Sequence, residues 1–282
     1  MEALCDCHIH FYDHRCSLTD GNPFDDRGPA DYEPTRQRLG VRRVVVVQPS
    51  YHGNDNRPTV NAISRIGPSA RGVAVIDPLL DLHALRALKA AGIAGIRLYT
   101  RAQSPSAHAL AEEIQELAEI ASRVGWHLDI NLPPQALLAA ASSLRDLPVQ
   151  LVFDHLAKVP QPTGKRSKEF RLIKELLVAG KAWVKVSGPY LSSQRGAPGF
   201  DDVGDTVREL AAAAPDRMVW GSDWPHPTIA SPPDDEHSFN LVSSWLPNDK
   251  VRAMVFSDNA ARLYGFHDGE TDAGGVRGWA HG

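Results

Sequence analysis

Cysteine is scarce in this chain: three in 282 residues, at Cys5, Cys7 and Cys16. A disulfide framework is therefore excluded as the basis of the fold. No apolar run approaches the roughly 18 residues that a membrane span needs, and no membrane partner is expected. The opening Met1-Glu2-Ala3-Leu4-Cys5-Asp6 lacks the basic region and apolar stretch of a secretory signal, so a cytoplasmic location is expected. The basic residues are scattered, apart from the short Lys165-Arg166-Ser167-Lys168 run, and the formal net charge is −4. Nothing in that balance calls for nucleic acid. A G-x-G-x-x-G turn after a strand is also missing, which removes the main argument for a dinucleotide-binding sheet.

What is present is a hydrophobic fraction of 43%, enough to bury a full core. Short β-branched runs alternate with amphipathic segments, and eight strand candidates emerge near 4–9, 43–48, 71–76, 93–98, 126–131, 149–154, 182–187 and 217–221. Several, such as Val44-Val45-Val46-Val47, are almost wholly apolar, as parallel strands covered on both faces are. Helical spacing is clearest over 106–124 and recurs near 56–67, 81–91, 134–145, 168–179 and 203–214. Eight βα alternations in one chain predict an α/β fold of the (β/α)8 TIM-barrel type, as a single domain over 1–266. The Gly-rich remainder, 267–282, reads as a C-terminal tail, and whether it packs on a second copy in a homo-oligomer is left open.

In such a barrel the chemistry gathers at the C-terminal ends of the strands. Strand 1 ends in His8-Ile9-His10, two residues that alternation points the same way, with Cys5 and Cys7 on the opposite face. Strand 6 ends in Asp154-His155. Strand 8 ends in Gly221-Ser222-Asp223-Trp224-Pro225-His226-Pro227, and closure brings it beside strand 1. His8, His10, His155 and Asp223 therefore converge on one mouth. Asp223 suits a general base, and the three histidines suit carbonyl polarisation, directly or through an ion. As ligand types they fit zinc or manganese.

These motifs resemble the metal-dependent amidohydrolase superfamily, and more narrowly its branch of small lactone hydrolases that includes 2-pyrone-4,6-dicarboxylate lactonase. The segments 48–56 and 183–188 match the same branch. The resemblance implies an enzyme (a hydrolase) that opens a lactone, a cyclic ester bearing a carboxylate, with Asp223 activating water. A metal-dependent non-oxidative decarboxylase or a lactone isomerase on the same scaffold is the alternative. By the same resemblance Arg97 and Ser50 contact substrate, with Arg101, Tyr190 and His52 as further binding candidates. A guanidinium fork at Arg97 suits a carboxylate.

The sequence departs from the binuclear members, since no lysine or glutamate ends strand 4 or strand 5. Two metals are therefore not expected. The cofactor reading is none or one divalent ion, held by His8, His10, His155 and Asp223 if bound, and it leans towards a dispensable one. After strand 7, Gly188-Pro189-Tyr190 replaces a second carboxylate-binding arginine, which weakens the case for a dicarboxylate.

Overall fold

The computed structural model describes residues 3–16, 25–99 and 106–267. Eight strands form one parallel sheet in chain order: β1 (Cys5–Ile9), β2 (Arg43–Val47), β3 (Ala70–Ala74), β4 (Ile93–Tyr99), β5 (His127–Asn131), β6 (Leu151–Phe153), β7 (Ala182–Val186) and β8 (Met218–Trp220). The last strand returns to the first. Asp223 N donates to His8 O at 2.9 Å and His10 N to Trp224 O at 2.8 Å, so the chain just past β8 completes a (β/α)8 barrel.

Eleven α-helices are found among the described residues: α1 (Pro29–Leu39), α2 (Arg57–Ile66), α3 (Leu82–Ala90), α4 (Ala107–Val124), α5 (Pro134–Ala139), α6 (Ala141–Arg145), α7 (Lys168–Val178), α8 (Asp201–Ala213), α9 (Asp235–Trp245), α10 (Asp249–Ala253) and α11 (Asn259–Tyr264). The barrel-facing stripe of α4 explains why its pattern was so readable: Leu110, Ile114, Leu117, Ala118 and Ala121 are buried. Its ends follow standard chemistry, with Ser106 Oγ accepting from Ala109 N and Gly125 in the left-handed region. The segment expected as one helix near 134–145 is two, divided at Ala140. Ser257 and Asp258 cap nothing, because a π turn over Met254–Asp258 runs directly into α11. No helix among the described residues is long and apolar enough to cross a membrane.

Alternation fails on β1. The pairing of β1 with β2 shifts register between Asp6 and Ile9. Cys5 and Cys7 pack with Val45, Val47, Val152, Trp183 and Val219 inside the barrel. His8 nevertheless reaches the same interior, lying 3.4 Å from Lys185 Nζ through its Nδ1. The cysteines and histidines are therefore not on opposite faces: one irregular residue pair turns His8 and His10 inward above the cysteines.

Candidate active site

The barrel mouth opens into a cavity of about 210 Å³ lined by His10, Tyr12, Ser50, Arg97, Asn131, His155, Lys158 and Asp223, among others. His8 is fully buried against His10, His155 and Asp223. Close approach of β8 to β1 depends on Gly221, where a Cβ would lie 2.6 Å from His8 Cβ and 2.8 Å from His8 N. Gly188 does the same beside the mouth: it holds φ +52, and a Cβ there would crowd His155 Nδ1 at 3.1 Å and Asp223 Oδ2 at 3.3 Å.

His10 Nδ1 lies 2.8 Å from Val47 O. A carbonyl only accepts, so Nδ1 carries the hydrogen and Nε2 keeps its lone pair. His8 Nδ1 lies between Asp154 Oδ1 at 3.3 Å and Lys185 Nζ at 3.4 Å; with its hydrogen turned to the carboxylate, His8 Nε2 keeps a lone pair as well. The two Nε2 atoms are 3.2 Å apart, and Asp223 Oδ1 is 3.6 Å from one and 3.5 Å from the other. In that tautomer three acceptor atoms converge with no hydrogen between them. Ligands about 2.0–2.2 Å from a tetrahedral ion stand roughly 3.3–3.6 Å apart, so the set fits one divalent cation.

His155 stands outside that set. The atoms able to share an ion fall into two groups, His8–His10–Asp223 and His8–Asp154–His155. The four-ligand arrangement expected from the sequence would have closed a tetrahedral site. Three ligands leave a position open, as catalytic sites do. His155 Nδ1 lies 2.9 Å from Ser187 Oγ. When that hydroxyl donates to Nδ1, the hydrogen of the neutral ring sits on Nε2. Burial pushes the His8 and His155 imidazoles below their usual range, in His8 well below, which favours the neutral forms. Burial raises the Asp223 carboxyl, and the neighbouring His155, His10 and His8 lower it to the extent that they carry a proton.

Beneath these groups lies a buried ionic network that sequence reasoning missed. Asp154 lies 3.0 Å from Lys185 Nζ and 3.4 Å from Arg97 Nε, and Lys185 Nζ lies 2.5 Å from Asp129 Oδ2. Burial opposes the charge on Asp154, but Lys185, His8 and Arg97 overcome it and keep the carboxyl well below its ordinary range. The available signal was a charge in the middle of a strand, at Lys185 in the otherwise apolar β7 and at Asp129 in β5.

The binding candidates fare unevenly. Arg97 and Ser50 both line the cavity. Arg97 is buried, its Nη1 donating to Gln48 O at 2.8 Å. His52 is turned away: its Nδ1 lies 3.0 Å from Cys16 O and its Nε2 accepts from Asp13 N at 3.3 Å, so both nitrogens serve the backbone. Tyr190 spends its hydroxyl on Asp223 Oδ2, 2.6 Å away. Arg101 and residues 268–282 of the tail lie outside the described residues. Among the wall residues not anticipated from the sequence, Lys158 brings a charge. His155, Leu156, Ala157 and Lys158 all have positive φ, between 50° and 55°. Four consecutive left-handed L-residues are strained, at a cost of order 1–3 kcal/mol each, and the turn delivers His155 and Lys158 to one cavity.

Residues 5–266 match the family model described as amidohydrolase. Among curated proteins, the chain is 31% identical to a 4-sulfomuconolactone hydrolase of Rhizobium radiobacter, over 83% of this chain and 79% of that one. It is 31% identical to a 2-pyrone-4,6-dicarboxylate hydrolase of Comamonas testosteroni, over 85% and 81%. A D-galactarolactone isomerase of Agrobacterium fabrum is 30% identical, over 84% and 81%. The lactone-hydrolase resemblance carried by the strand-end motifs is thereby met, and the chain belongs to the amidohydrolase family, as a hydrolytic enzyme on a (β/α)8 barrel.

Proposed function

We propose that this enzyme hydrolyses a lactone carrying a carboxylate, with Asp223 as general base. The observation that carries the reading is the convergence of His8 Nε2, His10 Nε2 and Asp223 Oδ1 in a cavity that Arg97 and Lys158 also line. A divalent ion held by these three residues would supply Lewis acidity to the ester carbonyl and to the attacking water.

Arg97 and Lys158 receive the substrate carboxylate and fix the ring against the cavity wall. Burial lowers the Lys158 ammonium below its usual range, with the Asp154 and Asp223 carboxylates opposing that shift. An incoming anion stabilises the charged form. His155 donates from Nε2 to the carbonyl oxygen, oriented by Ser187. Asp223 takes a proton as water forms its bond to the carbonyl carbon. The ring C–O bond then breaks, and the same proton passes from Asp223 to the departing oxygen.

A second reading draws on the isomerase relative: the nucleophile is a hydroxyl of the substrate itself, and the product is a second lactone. The two are separated by incubating acidic five- and six-membered lactones with the metal-loaded enzyme in 18O-labelled water. Hydrolysis places one label in the ring-opened acid. Isomerisation yields a rearranged lactone without label. Absence of the labelled ring-opened acid across the panel would overturn the proposal.

A further inference from the structure

Tyr190 Oη donates to Asp223 Oδ2 at 2.6 Å, and the phenol oxygen lies 3.1 Å from His226 Nδ1. On its other side His226 Nε2 stands 2.9 Å from Asp235 Oδ1. Thr35 Oγ1 donates to the second oxygen of Asp235 at 3.2 Å. His226 and Asp235 are both buried. Tyr190 follows β7, His226 follows β8, Asp235 opens α9 and Thr35 lies on α1. The chain of contacts thus runs from the barrel mouth to the outer helices.

Counting hydrogens gives this chain a direction. A phenol has one hydrogen, and here it points at Asp223. The phenol oxygen therefore presents lone pairs to His226, Nδ1 supplies the hydrogen of that contact, and the contact with Asp235 takes a second hydrogen, on Nε2 or on the carboxyl. His226 cannot simply brace the turn after β8, because both its nitrogens are committed to side chains from other elements.

We infer that Asp235, His226 and Tyr190 form a hydrogen-bonded relay that fixes Asp223, with Tyr190 as a positioning residue. The inference rests on the proposed role of Asp223 as base. Tyr190 donates to Oδ2 and keeps Oδ1 turned towards His8 and His10, so the carboxylate is held in one orientation at the site. A carboxylate free to rotate would present either oxygen and lose the alignment on which the proton transfer depends. The wall of the cavity includes Leu191 but not Tyr190, which agrees with a role behind the base rather than on the substrate.

The test uses Tyr190→Phe, His226→Gln, their double variant and Asp223→Asn, each checked for a native far-ultraviolet spectrum. Tyr190→Phe should lower kcat about 10–100-fold, as misplacement of a reacting group does, with KM nearly unchanged. His226→Gln should give a smaller kcat loss, and the double variant should be no slower than Tyr190→Phe, since both act through one contact. Independently of turnover, proton NMR of the wild type should show an exchange-protected Nδ1–H on His226 that shifts in Tyr190→Phe. Absence of that resonance, a full kcat in Tyr190→Phe, a raised KM at constant kcat, or additive losses would each overturn the relay. Activity retained in Asp223→Asn would instead remove the base on which the functional reading depends, and a protected His226 resonance would still stand.

Discussion

Lys185 Nζ lies 2.5 Å from Asp129 Oδ2 at the centre of the barrel, and neither side chain is exposed. Asp154 completes the group at 3.0 Å from the same ammonium. Barrel interiors are commonly filled by branched aliphatic side chains. Here Lys185 and Arg97 face two carboxylates, and one of these, Asp154, lies 3.3 Å from His8 Nδ1.

Lys185→Met should therefore be costly. Removing one partner of a buried ion pair leaves uncompensated charge, typically about 3–5 kcal/mol. Chemical denaturation should show that loss, while Lys185→Met combined with Asp129→Asn should recover part of it. Equal stability of Lys185→Met and the wild type would mean that the carboxylates are not held charged.

Most of the fold was legible because strand and helix periods are strong signals in a parallel barrel. Val44–Val47 and the α4 stripe needed no tertiary information. α1 was not legible: it holds Pro34 inside and buries only Pro29, Tyr32 and Thr35, so no apolar stripe marks it. The site divided along the same line. His8, His10, His155 and Asp223 could be placed because strand ends meet at one mouth. Asp154, Asp129 and Lys185 could not, because their partners lie on other strands, 56 residues apart in the case of Asp129 and Lys185. The turn of His8 over Cys7 depends on a register shift that alternation cannot anticipate.

Asp6 offers a pH signature of stability. It is fully buried, and burial raises its carboxyl from 3.8 to about 6 despite hydrogen bonds from Ser222, Tyr32 and His8. The folded protein therefore binds this proton more tightly than the unfolded chain. The resulting stabilisation is complete below about pH 4 and is lost as pH rises through about 6, roughly 3 kcal/mol in all. In Asp6→Asn, which keeps an acceptor for the two backbone donors, that slope should vanish. Parallel pH–stability curves for the two proteins between pH 4 and 7 would refute the assignment.

Asp223→Asn should fold normally and lose hydrolysis by roughly 10²–10⁴-fold, the usual contribution of a general base. The side chain keeps its shape but cannot take the proton. A variant with more than about a tenth of native turnover would rule this role out.

Lys158 and Arg97 should discriminate substrate charge. Lys158→Met is expected to raise KM for an acidic lactone about 10-fold or more, in line with a charge-assisted bond of about 1.5–3 kcal/mol. The methyl ester of the same lactone should be little affected. Arg97→Met should behave similarly, with an added loss of stability, since Arg97 also faces Asp154 at 3.4 Å. Equal effects on acid and ester would make both residues structural.

The last expectation concerns the metal. When His8 carries its hydrogen on Nδ1, two imidazole lone pairs and a carboxylate oxygen meet within 3.2–3.6 Å, and the site is repulsive until a cation or proton enters it. Three ligands of this type suit zinc or manganese, and the open position suits water. His155 is not among the three, so its loss should spare the metal. The purified enzyme should then contain about one equivalent of divalent ion. His10→Ala should lose that ion, whereas His155→Ala should retain it and lose turnover. Because the ion binds the folded state alone, chelation should also lower the melting temperature of the wild type but not of His10→Ala. Full activity after exhaustive chelation, with an unchanged melting temperature, would show that the three acceptors are reconciled by a proton instead.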